Sequence, residues 1–184
     1  MDVICQYYYA LKLHSETPWL SCTGVNLKSP PIKQPPDPCR AFYCNKFKYD
    51  SAYDIETNEN DIAIVKLAEA ASVSSYLGLA SSLPSSGVLV SWDESNAVVQ
   101  VSETITSAKV CVTQGYKYED GDLYNSQFCG LAANEACGEL PGSPLVADNK
   151  LLGVVSWGYG CGNKDSPAVY SNIPVLKLWI ESVL

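Results

Sequence analysis

The fold class is decided by one stretch of the chain, Ser143-Pro144-Leu145-Val146-Ala147-Asp148-Asn149-Lys150-Leu151-Leu152-Gly153-Val154-Val155-Ser156-Trp157. Its two apolar runs, Ser143–Val146 and Leu151–Trp157, have the length of strands and are bounded by turn-forming residues. The residues between them, Ala147–Lys150, include Asp and Asn, which favour turns. The stretch therefore predicts a β-hairpin.

Further short apolar runs lie on the N-terminal and C-terminal sides of this hairpin, separated by Gly, Pro, Asn, Asp or Ser. Many short strands with turns between them are typical of an antiparallel sandwich or barrel. Besides the two hairpin strands, the sequence predicts strands at Tyr7–Leu13, Trp19–Leu27, Ile62–Leu67, Gly87–Trp92, Ala97–Val101 and Ala168–Tyr170.

The last eleven residues, Pro174–Leu184, have a different periodicity. Pro174 suits the first turn of a helix, where its missing N–H is not needed. Apolar side chains then recur at i, i+3, i+4 and i+7, which predicts an amphipathic helix docked on the strands. These side chains are Leu176, Trp179, Ile180 and Val183.

Five prolines lie within Pro30–Cys39. Proline fixes φ and lacks the N–H donor of a sheet strand, so we expect an extended connector here. The alternative is a docking motif for a proline-reading domain.

Length and charge exclude several classes of protein. The chain has 184 residues, which fits one domain, and 47% of them are hydrophobic, enough for a core. Twelve Lys and Arg stand against twenty Asp and Glu, giving a formal net charge of −8. Such an acidic surface repels phosphate backbones and anionic lipids, so we expect neither nucleic acid nor membrane as a partner.

Eight cysteines and a single histidine, His14, indicate disulfides rather than a zinc site, and no metal or cofactor signature occurs. Disulfides favour an extracellular location. Met1–Tyr7 lacks the basic start of a signal peptide. We therefore expect that the sequence begins inside a longer precursor or that secretion has been lost.

Three stretches together resemble the trypsin-like serine proteases. Asn60–Leu67 is similar to the segment that carries the triad aspartate, and Gly153–Cys161 to the strand that lines the primary pocket. Cys137–Val146 stands where the family has its nucleophile loop, and Ser21–Val25 is similar to an early strand. The terminal helix also matches. The resemblance implies an all-β fold, a double antiparallel β-barrel with a shortened first barrel and a C-terminal helix.

The implied organisation is a single domain over residues 1–184. The truncated first barrel covers about residues 1–80, the second barrel about residues 81–173, and the helix residues 174–184.

The catalytic triad is incomplete by this resemblance. Asp61 matches the aspartate, the alternative being an ordinary carboxylate before a strand. The family's Ala-Ala-His-Cys strand is missing between Cys22 and Asp61. His14 precedes the Cys22 strand, in the wrong part of the pattern, so we interpret it as a solvated histidine.

The nucleophile loop differs as well. Alignment on Pro144-Leu145-Val146 puts Pro141 at the serine position, and Glu139 replaces a glycine that supplies an oxyanion donor. Leu140 replaces the aspartate that pairs with the new N-terminus of an activated protease. Ser143 falls on a glycine position and has no histidine to serve as its base.

The substrate pocket is altered but recognisable. The resemblance places Glu135 at its floor and Ala168 on one wall, where a glycine is usual, with Gly158 kept on the opposite wall. Glu135 is alternatively a plain loop charge. Ser156 and Trp157 belong to the strand that pairs with substrate backbone.

Two disulfides follow from the resemblance, Cys111–Cys129 and Cys137–Cys161. The remaining four cysteines, Cys5, Cys22, Cys39 and Cys44, allow three pairings.

The interpretation we favour is a non-catalytic homologue, not an enzyme, that binds as a monomer to a protease, a protease inhibitor or an extended basic peptide. Two alternatives stay open. One is a trypsin-like serine endopeptidase that uses unusual groups. The other is a truncated or wrongly delimited gene product without activity.

Overall fold

The computed structural model describes residues 44–67, 75–92, 98–133, 141–159 and 165–184. The predicted strands Tyr7–Leu13 and Trp19–Leu27 and the proline-rich segment lie outside the described residues. Within them the chain forms β1 (Cys44–Tyr49), β2 (Ala63–Leu67), β3 (Gly78–Leu79), β4 (Ser86–Trp92), β5 (Val98–Ser107), α1 (Ala108–Cys111), β6 (Gln127–Ala132), β7 (Pro144–Ala147), β8 (Lys150–Trp157), β9 (Ala168–Asn172) and α2 (Ile173–Val183).

Six of these strands close into an antiparallel barrel. Their order is β8-β7-β4-β5-β6-β9, and β9 pairs back to β8. The short strand β3 adds to β8 in parallel, and β1 pairs with β2 in a separate antiparallel sheet. The predicted all-β class, with a barrel, a second sheet and a C-terminal helix, is confirmed; the division of the chain at about residue 80 stays a prediction.

The predicted hairpin is β7 and β8, joined by a two-residue turn. Asp148 and Asn149 have φ values of 48° and 57°, the left-handed conformation that Asp and Asn adopt more readily than other residues with side chains. Pro144 pairs with Val154, and Ala147 with Lys150.

Some elements differ from the prediction. β5 continues to Ser107 instead of ending near Val101, because its polar residues alternate between an outer and a buried face. β1, β3 and β6 were not predicted: β1 is rich in Lys, β3 has two residues, and β6 contains Gln and Gly.

The C-terminal helix α2 packs against both the barrel and the start of β2. Ile173, Leu176 and Ile180 are buried against Leu151, and the partly buried Ile62 and Ile64 pack against the same cluster, together with Trp179. This confirms the amphipathic face predicted from the sequence and fixes the residues just before β2 beside the barrel. No helix in the described part of the chain is long and apolar enough to cross a membrane.

Candidate functional site

Asp61 lies where the two sheets meet, two residues before β2. Its carboxylate accepts a hydrogen bond from the Ser156 hydroxyl of β8, with 2.5 Å between the oxygens. Its backbone carbonyl accepts another from the Ser171 hydroxyl of β9, at 2.6 Å. Two neighbouring barrel strands thus hold Asp61 by its side chain and by its main chain.

The loop before Asp61 is fastened to the barrel by Gln127, a buried residue at the start of β6. Its side-chain amide donates to the carbonyls of Thr57 and Asn58, at 3.2 and 3.0 Å. The Asn60 N–H donates to the Ser126 hydroxyl at 3.1 Å. These bonds fix the direction in which the chain enters Asp61.

The negative charge of Asp61 affects the pKa of the neighbouring Tyr53. The pKa of Tyr53 is raised above its ordinary value, first by burial and then by the negative charges of Asp61 and Asp54. Tyr53 is therefore a neutral hydrogen-bonding group throughout the physiological pH range.

An aromatic cluster lies at the end of β8. The rings of Tyr118 and Trp157 meet edge to face, with centroids 5.5 Å apart, and Tyr159 stacks on Tyr118 at 5.7 Å. The Tyr118 hydroxyl donates to the carbonyl of Pro167. The Trp157 Nε1 is buried and has no hydrogen-bond partner among the described residues. Tyr159 leaves 59% of its surface exposed, so the cluster has one face open to solvent.

Gly158 follows Trp157 and lies opposite Ala168. A Cβ built on Gly158 would stand 3.6 Å from the Cα of Ala168, which is an ordinary contact. Ala168 is buried, whereas Gly158 is exposed. The structure therefore brings together four of the predicted pocket residues, Ser156, Trp157, Gly158 and Ala168.

The described part of the predicted nucleophile loop, Pro141–Ser143, is bonded to β8. The Gly142 N–H donates to the Val155 carbonyl at 2.8 Å, and the Val155 N–H donates to the Ser143 carbonyl at 2.9 Å. Since Val155 precedes Ser156, this loop and Asp61 are attached to consecutive residues of one strand. Pro141 itself is exposed.

Ser143 is the one hydroxyl in Pro141–Ser143, and it faces inward. Its side chain is buried, and its Oγ lies 2.8 Å from the Oγ of Ser91 on β4. Both hydroxyls are buried, so the Ser143 Oγ is bonded within the protein and not exposed to solvent.

The remaining predicted site residues, Glu135, Glu139, Cys137 and Cys161, lie outside the described residues, as do Leu140 and His14. The Cys111–Cys129 disulfide is present, with an S–S distance of 2.05 Å. The disulfide packs with Tyr118 and Val169 in one buried cluster, and Trp157 packs against the same cluster.

Sequence reasoning missed three of the residues that build this site. Ser171 gave no signal, because its bond to Asp61 depends on how β9 pairs with its neighbours. Tyr118 and Gln127 lie in a polar stretch with no predicted strand. Among the described residues, no group of three or more His, Cys, Asp or Glu side chains could hold a metal ion.

The barrel is similar to that of known serine proteases. One solved structure, "Neuropsin, a serine protease expressed in the limbic system of mouse brain", superposes with a TM-score of 0.65, covering 77% of this chain and 71% of that one. The two sequences are 22% identical, so this likeness concerns the fold.

Sequence comparison defines the family. The family model described as Trypsin matches residues 23–180. Trypsin delta from Drosophila melanogaster is 35% identical over 156 residues, which cover 77% of this chain and 61% of the relative. Trypsin from Sarcophaga bullata is 32% identical over 151 residues, covering 73% and 59%. The chain belongs to the trypsin family, and it spans about three-fifths of the length of these relatives.

Proposed function

We propose that this trypsin-family chain is non-catalytic and acts by binding an extended basic segment, such as the loop of a protease inhibitor, in the former substrate cleft. The observation that carries the proposal is Pro141. It occupies the turn before β7 that aligns with the family's nucleophile, and proline has neither a hydroxyl nor a backbone N–H.

The described residues next to Pro141 offer no replacement nucleophile. Ser143 is buried and bonded to Ser91, at 2.8 Å between the two hydroxyl oxygens. Asp61, the position that aligns with the triad aspartate, is bonded to Ser156. A serine needs an adjacent base to become nucleophilic, and the sequence between Cys22 and Asp61, where the resemblance leads us to expect the family's histidine, contains none.

Binding needs less than catalysis does. An extended peptide is held by main-chain hydrogen bonds along a strand end and by a few side-chain contacts. The Trp157 strand end, the Gly158–Ala168 wall and the exposed ring of Tyr159 supply such a surface. The formal net charge of −8 favours a basic partner through long-range attraction.

We further propose that the protein works outside the cell as a monomer. The Cys111–Cys129 bond supports this location, because disulfides persist in oxidising compartments.

The test of the non-catalytic function is labelling with a fluorophosphonate, read by intact mass, beside a turnover assay with Lys and Arg peptide substrates. We expect no adduct and no turnover, with active trypsin as the positive control. Pro141→Ser should also stay inactive, because it restores the hydroxyl without a base. Stoichiometric labelling of the parent protein contradicts the proposal and favours the endopeptidase alternative.

A further inference from the structure

A glutamate is buried inside the barrel, on the strand β5, which contributes no residue to the site described above. Glu103 of β5 is 2% exposed. Its Oε2 accepts a hydrogen bond from the Tyr170 hydroxyl of β9 at 2.8 Å, whereas its Oε1 is buried without a hydrogen-bond partner in the described part of the chain. A buried carboxyl with one satisfied oxygen is costly, and the cost is much larger when it is ionised.

The barrel is shaped around this side chain. A Cβ on Gly130 of β6 would lie 2.0 Å from the Glu103 Oε2 and 2.6 Å from the Tyr170 Cε2, so the pair fills the space that a side chain at Gly130 would take. On the other side, Glu103 pairs with Gly87 of β4. The Tyr170 ring stacks on Phe128, with centroids 5.2 Å apart.

Among the described residues, no basic side chain forms an ion pair with the Glu103 carboxylate. The strands β4, β6 and β9 carry no acidic or basic residue other than Tyr170 among their described positions, and Cys129 of β6 is in a disulfide. The helix α1, which also packs on β5, contributes Lys109, an exposed residue, and the disulfide-bonded Cys111. Burial raises the pKa of Glu103 from 4.5 to about 7, and the hydrogen bond from Tyr170 opposes that rise.

We propose that Glu103 and Tyr170 form a pH-sensitive switch in the barrel, in which neutral Glu103 keeps β5, β6 and β9 closed and its ionisation loosens the contact between these strands. Gly130 pairs with Ala168, and Phe128 with Tyr170, along the same β6–β9 contact. Loosening it moves the Ala168 side of the cleft. The switch is a property of the barrel and does not depend on the proposed binding function.

The sign of the pH dependence follows from the direction of the pKa shift. The folded protein holds the Glu103 proton more tightly than the unfolded chain, so Glu103 contributes full stability below pH 4.5 and loses it as pH rises through about 7. Between pH 5 and pH 8 this one group lowers the folding equilibrium constant by roughly fifty- to a hundredfold.

The test compares urea unfolding of the parent protein and Glu103→Gln at pH 5 and pH 8. Glutamine keeps an acceptor for the Tyr170 hydroxyl but does not titrate. Between pH 5 and pH 8 the folding equilibrium constant of Glu103→Gln should therefore lack most of the roughly fifty- to a hundredfold decrease that Glu103 causes in the parent protein. Glu119→Gln, which removes a carboxyl from an exposed turn, should keep the parent's pH dependence. Hydrogen exchange at pH 8 should be faster in β6 and β9 of the parent than of Glu103→Gln.

Two outcomes overturn the proposal: an unchanged pH dependence in Glu103→Gln, or equal exchange in β6 and β9. A carboxyl ¹³C titration of the parent protein decides the matter if the variant does not fold. It should show a carboxyl with a midpoint near pH 7, and Tyr170→Phe should move that midpoint upward. The absence of any carboxyl midpoint above pH 6 contradicts the switch.

Discussion

The Ser156 hydroxyl donates a hydrogen bond to the Asp61 carboxylate at 2.5 Å, although the two residues are 95 positions apart in the chain. Ser156 belongs to the barrel and Asp61 to the loop before β2, so this bond joins the two sheets. Hydrogen bonds to ionised groups are the stronger class, and both partners are partly shielded from water.

Ser156→Ala should therefore lower the free energy of unfolding by about 1.5–3 kcal/mol, because it removes a hydrogen bond to a part-buried carboxylate. Urea unfolding at neutral pH measures the change. Ser102→Ala, at an exposed position on β5, is the matched control and should change stability by less than about 0.5 kcal/mol. Equal effects of the two substitutions would show that the bond between Ser156 and Asp61 does not stabilise the fold.

Gly130→Ala should cost about 1–3 kcal/mol, because its methyl group has no room beside the Glu103 carboxyl and the Tyr170 ring. In a Glu103→Ala background the cost should fall, since one of the two crowding groups is gone, while the ring contact at 2.6 Å still leaves part of it. Thermal unfolding of the four proteins of this cycle measures the coupling.

Gly78→Ala is the control for the loss of a strand glycine. Among the described residues its Cβ would meet just the Lys150 side chain, at 3.8 Å, so Gly78→Ala should be close to neutral. Additive effects of Gly130→Ala and Glu103→Ala would contradict the close approach of these two residues.

The paired substitution Cys111→Ser with Cys129→Ser should lower the free energy of unfolding by about 2–4 kcal/mol, because the bond closes a loop between residues 18 positions apart. Replacing both cysteines avoids a free thiol. The near-ultraviolet circular dichroism of Tyr118 and Trp157 should also weaken, since the disulfide packs behind their cluster. A loss below about 0.5 kcal/mol would show that the rest of the barrel already restrains this loop.

Local chemistry made the hairpin predictable. Asp148 and Asn149 favour a turn by themselves, and the apolar runs on either side have the length of strands. The helix was predictable for the same reason, because its apolar period is contained within eleven residues. Motif similarity located Asp61 and the Trp157 strand.

The features that the sequence did not predict depend on strands that are far apart in the chain and pair with one another. β5 was predicted to end at Val101, yet it continues through Glu103, which is buried where Gly130 leaves space and Tyr170 supplies a donor. Gly130 belongs to β6 and Tyr170 to β9, so neither lies in the stretch of sequence around Glu103. The partners of Asp61 depend in the same way on the register of β8 and β9, which no local pattern encodes.

The surface formed by Trp157, Gly158 and Ala168 is the predicted binding site for a basic peptide. A peptide with Lys or Arg in an extended segment should bind with a Kd no tighter than roughly micromolar. Association costs translational and rotational freedom as well as the ordering of the extended peptide, and these costs limit the affinity. Calorimetry with matched basic and acidic peptides measures the preference. Glu135→Gln and high salt should both weaken binding of the basic peptide, since each removes or screens an attractive charge. Equal affinity for the two peptides would show that any partner docks elsewhere on the protein.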